Sequence, residues 1–309
     1  MKPEVHDILA AASVADALRA AARELAAAGV DAPAREARLL LAQVLGVGVE
    51  ALLGRGEAPL AAEADARFAA ALARRRERAP LAQILGRREF WSLEFGVGPE
   101  VLTPRPESET IVESALAAVG AAGRRNRPLA LLDLGTGSGC LLIALLRELP
   151  AAHGLGVDAS VAALARASAN ARSLGVAARC RFLCGDWAEA LAGCFDIIVT
   201  NPPYIAAGEI AELMPEVRAH EPRAALDGGA DGLDAYRRFL PSLAGLLAPG
   251  GSAHLELGAG QGPRVEALAR AHGLSVRARR NDLAGIERCL SFAASGASEK
   301  GLGESAPGA

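Results

Sequence analysis

The spacing of apolar residues changes period along the chain, and the changes divide it. Up to about residue 85 the period is helical. Ser13-Val14-Ala15-Asp16 resembles a capping box, and Leu18 and Leu25 continue one face. Asp31-Ala32-Pro33 starts a second helix through Leu39, Leu40, Val44 and Leu45, with Gly46 as its stop. Residues 61–79 predict a third, ending before Pro80. From 88 to 103 the period shortens: Phe90, Trp91, Leu93, Phe95 and Val97, with Gly96 and Gly98, predict an extended hairpin. Thr103-Pro104-Arg105-Pro106-Glu107 then forms a rigid connector into a helix from about Glu107 to Val119, and residues 120–128 form a loop.

From Leu129 onward, short apolar runs alternate with helical stretches. Strands are expected at 129–134, 154–158, 179–184, 195–200, 252–257, 275–279 and 287–291. Helices of about ten or more residues between the early runs predict a parallel, doubly wound α/β sheet. The expected organisation is a helical substrate-recognition domain over 1–85, hairpin and connector over 86–106, the α/β domain over 107–291, and a disordered tail over 292–309.

Composition narrows the class. The chain has 309 residues, 51% of them hydrophobic, which is enough for a large core. Only 4% are aromatic and the net charge is -3, which argues against a single-strand nucleic-acid binder or a phosphate-gripping surface. The five cysteines, Cys140, Cys180, Cys184, Cys194 and Cys289, fit no secreted disulfide framework and read as structural thiols. The five histidines are scattered singly, so no metal site is expected. No apolar run reaches the roughly 18 residues of a membrane span, and the N-terminus lacks a signal-peptide pattern. A soluble cytoplasmic protein is the expectation. Six arginines between Arg74 and Arg88, against one acid, read as a solvated helix face, with contact to a partner as the alternative.

The candidate chemistry sits at the ends of four successive strands. The first ends in Asp133-Leu134-Gly135-Thr136-Gly137-Ser138-Gly139-Cys140, and a helix follows. Glycines allow close backbone approach to a ligand, and a helix N-terminus offers unpaired N–H groups. The Gly-x-Gly-x-Gly spacing is tighter than that of pyrophosphate binders and suits a ligand carrying a carboxylate. The second strand ends in Asp158, where a carboxylate grips ribose hydroxyls. Asp186-Trp187 closes the third and offers an acid and an aromatic ring to an adenine. Asn201-Pro202-Pro203-Tyr204 closes the fourth. Prolines cannot continue a ladder, so the strand stops there and leaves a stiff turn with carbonyls and one amide, suited to a planar NH2 group. Ligands of open α/β sheets bind outside the carboxyl ends of the strands, so a nucleoside spans the first three and presents its reactive end to the fourth.

With these residues in place, the sequence resembles a class I S-adenosylmethionine-dependent methyltransferase of Rossmann-like fold. More closely it is similar to the release-factor glutamine methyltransferase family (PrmC/HemK), over about residues 5–291. The stretches carrying this are Pro80-Leu81-Ala82-Gln83-Ile84-Leu85-Gly86, Arg88-Glu89-Phe90-Trp91-Ser92-Leu93, Thr103 to Glu107, Glu221-Pro222-Arg223-Ala224-Ala225-Leu226-Asp227-Gly228-Gly229, and Asn281-Asp282-Leu283-Ala284-Gly285. Asn281, in place of a commoner lysine, and Ile286, in place of a polar residue, are mild departures. The resemblance implies methylation of the side-chain amide nitrogen of the glutamine in the Gly-Gly-Gln motif of peptide chain release factors. It implies a cofactor site lined by Gly135, Thr136, Gly137, Ser138, Gly139, Asp158, Trp187 and Asn201. Asn201, Pro202, Pro203 and Tyr204 would hold the glutamine, with Asn201 and Pro202 as the catalytic pair. The implied partner is a release factor, with no nucleic-acid substrate and no membrane. Two alternatives share the tetrapeptide: glutamine methylation of a ribosomal protein, and amino-methylation of a DNA or RNA base.

Overall fold

A computed structural model describes residues 13–189 and 191–295. The chain divides into two compact units. One holds the residues up to Arg88 together with Val97–Pro99 and Glu212–Glu221. The other holds Glu89–Gly96, Glu100–Ala211 and the residues from Pro222 onward. Among the described residues, no helix is long and apolar enough to cross a membrane.

The first unit is helical: α1 (Val14–Ala27), α2 (Pro33–Leu45), α3 (Ala62–Arg76) and α4 (Leu81–Leu85). Ser13 caps α1 by accepting from the Asp16 N–H at 3.2 Å. Gly46 ends α2 in the left-handed conformation, φ 65°. Leu25, Leu40, Leu41, Phe68 and Leu72 form a fully buried core, each contributing roughly 1.5–3 kcal/mol of burial.

The arginine run is not the uniformly solvated face expected. Arg75 is buried, at 5% exposure, because a later segment covers it. That segment is the short helix α8 (Pro215–His220), whose Glu216 pairs with Arg75 at 2.9 Å and Arg78 at 2.7 Å. Arg75 also pairs with Glu36 of α2. Helical periodicity over 61–79 carries no sign of an acid 141 residues further on. Arg75→Ala is expected to destabilise the protein by about 3 kcal/mol, since it takes from partly buried Glu36 its cation and from Glu216 one of two. A thermal midpoint equal to that of the wild type would contradict this.

A hairpin follows in the chain, β1 (Arg87–Phe90) and β2 (Leu93–Gly96). Its two turn residues, Trp91 and Ser92, both have positive φ (53° and 54°), as a type I′ turn requires. Neither is glycine or asparagine, so the turn needs outside support. Glu109 accepts from the Trp91 backbone N–H at 2.8 Å, and Glu148 from its indole N–H at 3.1 Å.

The main sheet has seven strands: β3 (Ala130–Leu134), β4 (His153–Asp158), β5 (Cys180–Cys184), β6 (Phe195–Thr200), β7 (Leu247–Glu256), β8 (Leu274–Asn281) and β9 (Glu287–Ala294). Their order is β5-β4-β3-β6-β7-β9-β8. The first five are parallel, as expected; α5 (Glu109–Ala121) precedes them, and they are linked by helices including α6 (Cys140–Glu148), α7 (Val161–Ser173) and α9 (Asp234–Leu246). The chain order reverses between β3 and β6, which opens a crevice at the carboxyl ends.

Two expectations need correction. The last strand is antiparallel to both neighbours, because β8 and β9 are joined by a turn too short for a crossover helix. The expected tail also begins too early: Phe292, Ala293 and Ala294 continue β9, and Phe292 is fully buried. The rest of that segment, from residue 296, lies outside the described residues.

Candidate active site

A cavity of about 600 Å³ lies at the carboxyl ends of the parallel strands. Its wall includes Gly135, Thr136, Gly137, Ser138, Asp158, Asp186, Trp187, Asn201 and Pro203. All four strand ends singled out from sequence therefore meet at one space. Gly139, Pro202 and Tyr204 are not on the wall. Gly139 caps α6 at φ 80°, and Pro202 is buried.

The glycine loop is shaped by its neighbours. Gly135, Gly137 and Gly139 all have positive φ, which allows the chain to curl between β3 and α6. The N–H groups of Gly135 and Thr136 both donate to the Val157 carbonyl at 2.9 Å. Asp158 holds the loop from the side: Oδ2 accepts from the Gly137 N–H at 2.8 Å and Oδ1 from the Ser160 N–H at 2.9 Å. Asp133 holds it from below. Its Oδ2 accepts from the Thr136 hydroxyl at 2.7 Å, and Oδ1 is buried with no partner. Burial pushes Asp133 up to about 7, against the Thr136 hydrogen bond. Sequence reading gave Asp133 no role; the signal available was a carboxylate inside the apolar run Leu131-Leu132-Asp133-Leu134.

Trp187 takes φ 48° and brings its ring to the loop, 3.5 Å from where a Gly135 Cβ would stand. Its other side packs on Phe239, centroids 5.2 Å apart. The neighbouring Asp186 is on the wall but ion-paired with Arg238, so it is not a free hydrogen-bonding arm.

The Asn201 turn is braced from three directions. Thr200 Oγ1 donates to the Leu134 carbonyl at 2.7 Å, locking the end of β6 to β3. Asn201 Nδ2 donates to Ser108 Oγ at 3.0 Å. The Gln261 side chain donates to the Tyr204 carbonyl at 2.8 Å. Gly232, at φ 76°, passes so close that a Cβ there would stand 2.4 Å from the same carbonyl. The Tyr204 hydroxyl donates to Glu256 Oε1 at 3.2 Å, and burial raises the tyrosine further above its ordinary range, with the Glu256 charge adding to it. The phenol stays neutral.

The connector Thr103 to Glu107, read from sequence only as a rigid link, also reaches the site. Pro104 and Arg105 stand on the wall, as does Ser108 just beyond. The acids there, Glu100, Asp158, Asp186, Asp227 and Asp234, outnumber the two cations, Arg105 and Arg238. Four of these acids are ion-paired, Glu100 with Arg166, Asp186 with Arg238, Asp227 with Arg223 and Asp234 with Arg237, so the cavity's fit to a ligand of nucleoside size rests on its volume, the glycine loop and Asp158.

A sheet of this order, with a glycine loop after its first strand and an acid ending the second, defines a class I methyltransferase, the class that uses S-adenosylmethionine. The sequence matches the PrmC N-terminal domain family over residues 16–86 and a methyltransferase domain family over residues 126–224. It is 49% identical over 278 residues to the release factor glutamine methyltransferase of Cereibacter sphaeroides, covering 90% of this chain and 97% of that protein. It is 47% identical over 266 residues to the protein of the same name from Rhodospirillum rubrum, covering 86% and 80%. Among solved structures, the hMettl16 catalytic domain in complex with a 3′UTR hairpin aligns with a TM-score of 0.53. The alignment has 15% identity and covers 72% of this chain and 80% of that one, a likeness of fold alone. The chain belongs to the release factor glutamine methyltransferase family.

Proposed function

We propose that this protein methylates the side-chain amide nitrogen of the glutamine in the Gly-Gly-Gln motif of peptide chain release factors. The observation that carries this reading is near full-length similarity to enzymes of that name, in a chain whose Asn201 borders the cavity. Gly135 to Gly139, Asp158 and Trp187 bind the cofactor, and Asn201 to Tyr204 hold the glutamine. The unit matched by the PrmC N-terminal domain family recognises the folded factor.

An amide nitrogen is a poor nucleophile because its lone pair is delocalised into the carbonyl. When bound, S-adenosylmethionine supplies the electrophile, a methyl group on a sulfonium sulfur. The protein supplies position and electrostatics. Asn201 Oδ1 accepts one N–H of the substrate amide, and the Pro202 carbonyl accepts the other. Two acceptors on one NH2 group turn its lone pair toward the methyl and favour a pyramidal nitrogen. Their dipoles also face the positive charge that develops there. The nitrogen loses its proton after transfer, so no strong base is needed beforehand. Tyr204, kept neutral, packs beside the amide and moves no proton.

Labelled cofactor offered release factor and nucleic acid together should mark the protein. Label entering the nucleic acid would overturn this reading in favour of base methylation.

A further inference from the structure

Asp158 holds the glycine loop from the β4 side, at the Gly137 N–H. From the α7 side the loop is held by Asn170. This residue is 2% exposed, so its amide needs protein partners. Oδ1 accepts from the Gly96 N–H at 2.8 Å. Nδ2 donates to the Gly96 carbonyl at 3.0 Å and to the Ser138 carbonyl at 2.8 Å. The two bonds to Gly96 are the pair that a residue of a neighbouring strand exchanges, so the side chain finishes the end of β2 as a peptide group would. The third bond leaves the hairpin and takes hold of the loop.

The amide works in one orientation only. One N–H and two carbonyls face it, and turning it over would set donor against donor and oxygen against oxygen. Aspartate has the same shape without the donors, and leucine offers neither donor nor acceptor. The Ser138 carbonyl and the Gly139 N–H belong to one planar peptide. That N–H donates to the Thr136 carbonyl at 2.8 Å and closes the turn from Thr136 to Gly139. Fixing the Ser138 carbonyl therefore fixes the turn whose Thr136, Gly137 and Ser138 stand on the cavity wall. The same helix touches both pieces it joins. A Cβ at Gly139 would stand 3.2 Å from Ala167 Cβ, and one at Gly96 would stand 3.0 Å from Asn170 Oδ1 and 3.3 Å from Arg166 Nη1. Among the described residues, none of Glu89–Gly96 stands on the wall itself.

We propose that Asn170 is a positioning residue for cofactor binding: it ties the Ser138 carbonyl to the Gly96 backbone, so that the end of the hairpin sets the glycine loop from outside the cavity. The inference rests on the reading above that this loop binds S-adenosylmethionine.

The test is calorimetry of S-adenosylmethionine binding to the full chain, with kinetics on release factor. Asn170→Ala should raise Kd by about 10-fold, the scale of a buried carbonyl left without its donor. Gly96→Val should raise it by about 3- to 10-fold, because its side chain drives the Asn170 amide out of place without touching the cavity. In both variants kcat at saturating cofactor should stay within about 3-fold of wild type, since the Asn201 turn is braced elsewhere. A role in folding alone would lower the thermal midpoint and the binding stoichiometry and leave Kd as in wild type. Wild-type Kd in either variant, with Asp158→Ala weakened, would overturn the inference and leave the cofactor site standing; Gly96→Val decides alone where Asn170→Ala does not fold. Wild-type Kd in Asp158→Ala would remove the reading on which the inference rests.

Discussion

Asn201→Ala is expected to lower kcat on release factor by about 100- to 1,000-fold, the usual cost of deleting one preorganised polar contact to a reacting centre. The affinity for S-adenosylmethionine should stay within a few-fold of wild type. The separation follows from where the side chain sits. The end of β6 is held by Thr200 on the Leu134 carbonyl, and the turn by Gln261 on the Tyr204 carbonyl. Alanine removes the brace from Asn201 to Ser108 but neither of these two contacts, which hold the turn in place. What disappears is the carbonyl oxygen offered to the substrate. Kinetics at saturating cofactor, with calorimetry for binding, check both halves. Near-normal turnover would remove Asn201 from the reaction.

Asp158→Ala should do the reverse, weakening S-adenosylmethionine binding by about 100-fold, roughly 3 kcal/mol for a lost charged hydrogen-bonding group. Asp158 has two duties. It faces the cavity where ribose hydroxyls are expected, and its two oxygens take the Gly137 and Ser160 N–H groups. Alanine removes the ribose acceptor and frees the glycine loop together. Asp158→Asn keeps the shape with a single acceptor oxygen, and its affinity should fall between the two. Unchanged affinity in Asp158→Ala, measured by calorimetry, would contradict the assignment.

The parts of this site that were legible in the sequence are those written locally. Strands β3 to β6 are short runs followed or ended by glycines, an acid, an acid and an aromatic, and prolines, so the glycine loop, Asp158, Trp187 and Asn201 announce themselves as strand ends. The parts that were not legible depend on strand order and on distant segments. Glu256 meets Tyr204 only because β7 lies next to β6, and Ser108 reaches Asn201 from 93 residues upstream. Arg75 looked solvated because its partner Glu216 sits in a short helix far along the chain. The antiparallel β9 was missed because period-2 spacing gives no strand direction. Phe292 was assigned to the tail because the small residues after it mask the end of the strand.

The central claim concerns one atom, the side-chain nitrogen of one glutamine in a protein substrate. The most direct measurement is mass spectrometry of release factor after incubation with the enzyme and S-adenosylmethionine, with fragmentation of the Gly-Gly-Gln peptide. The expected result is a mass gain of one methylene, located on that glutamine side chain and absent with Asn201→Ala. An unmodified Gly-Gly-Gln peptide, with the methyl group found on another residue or on nucleic acid, would contradict it.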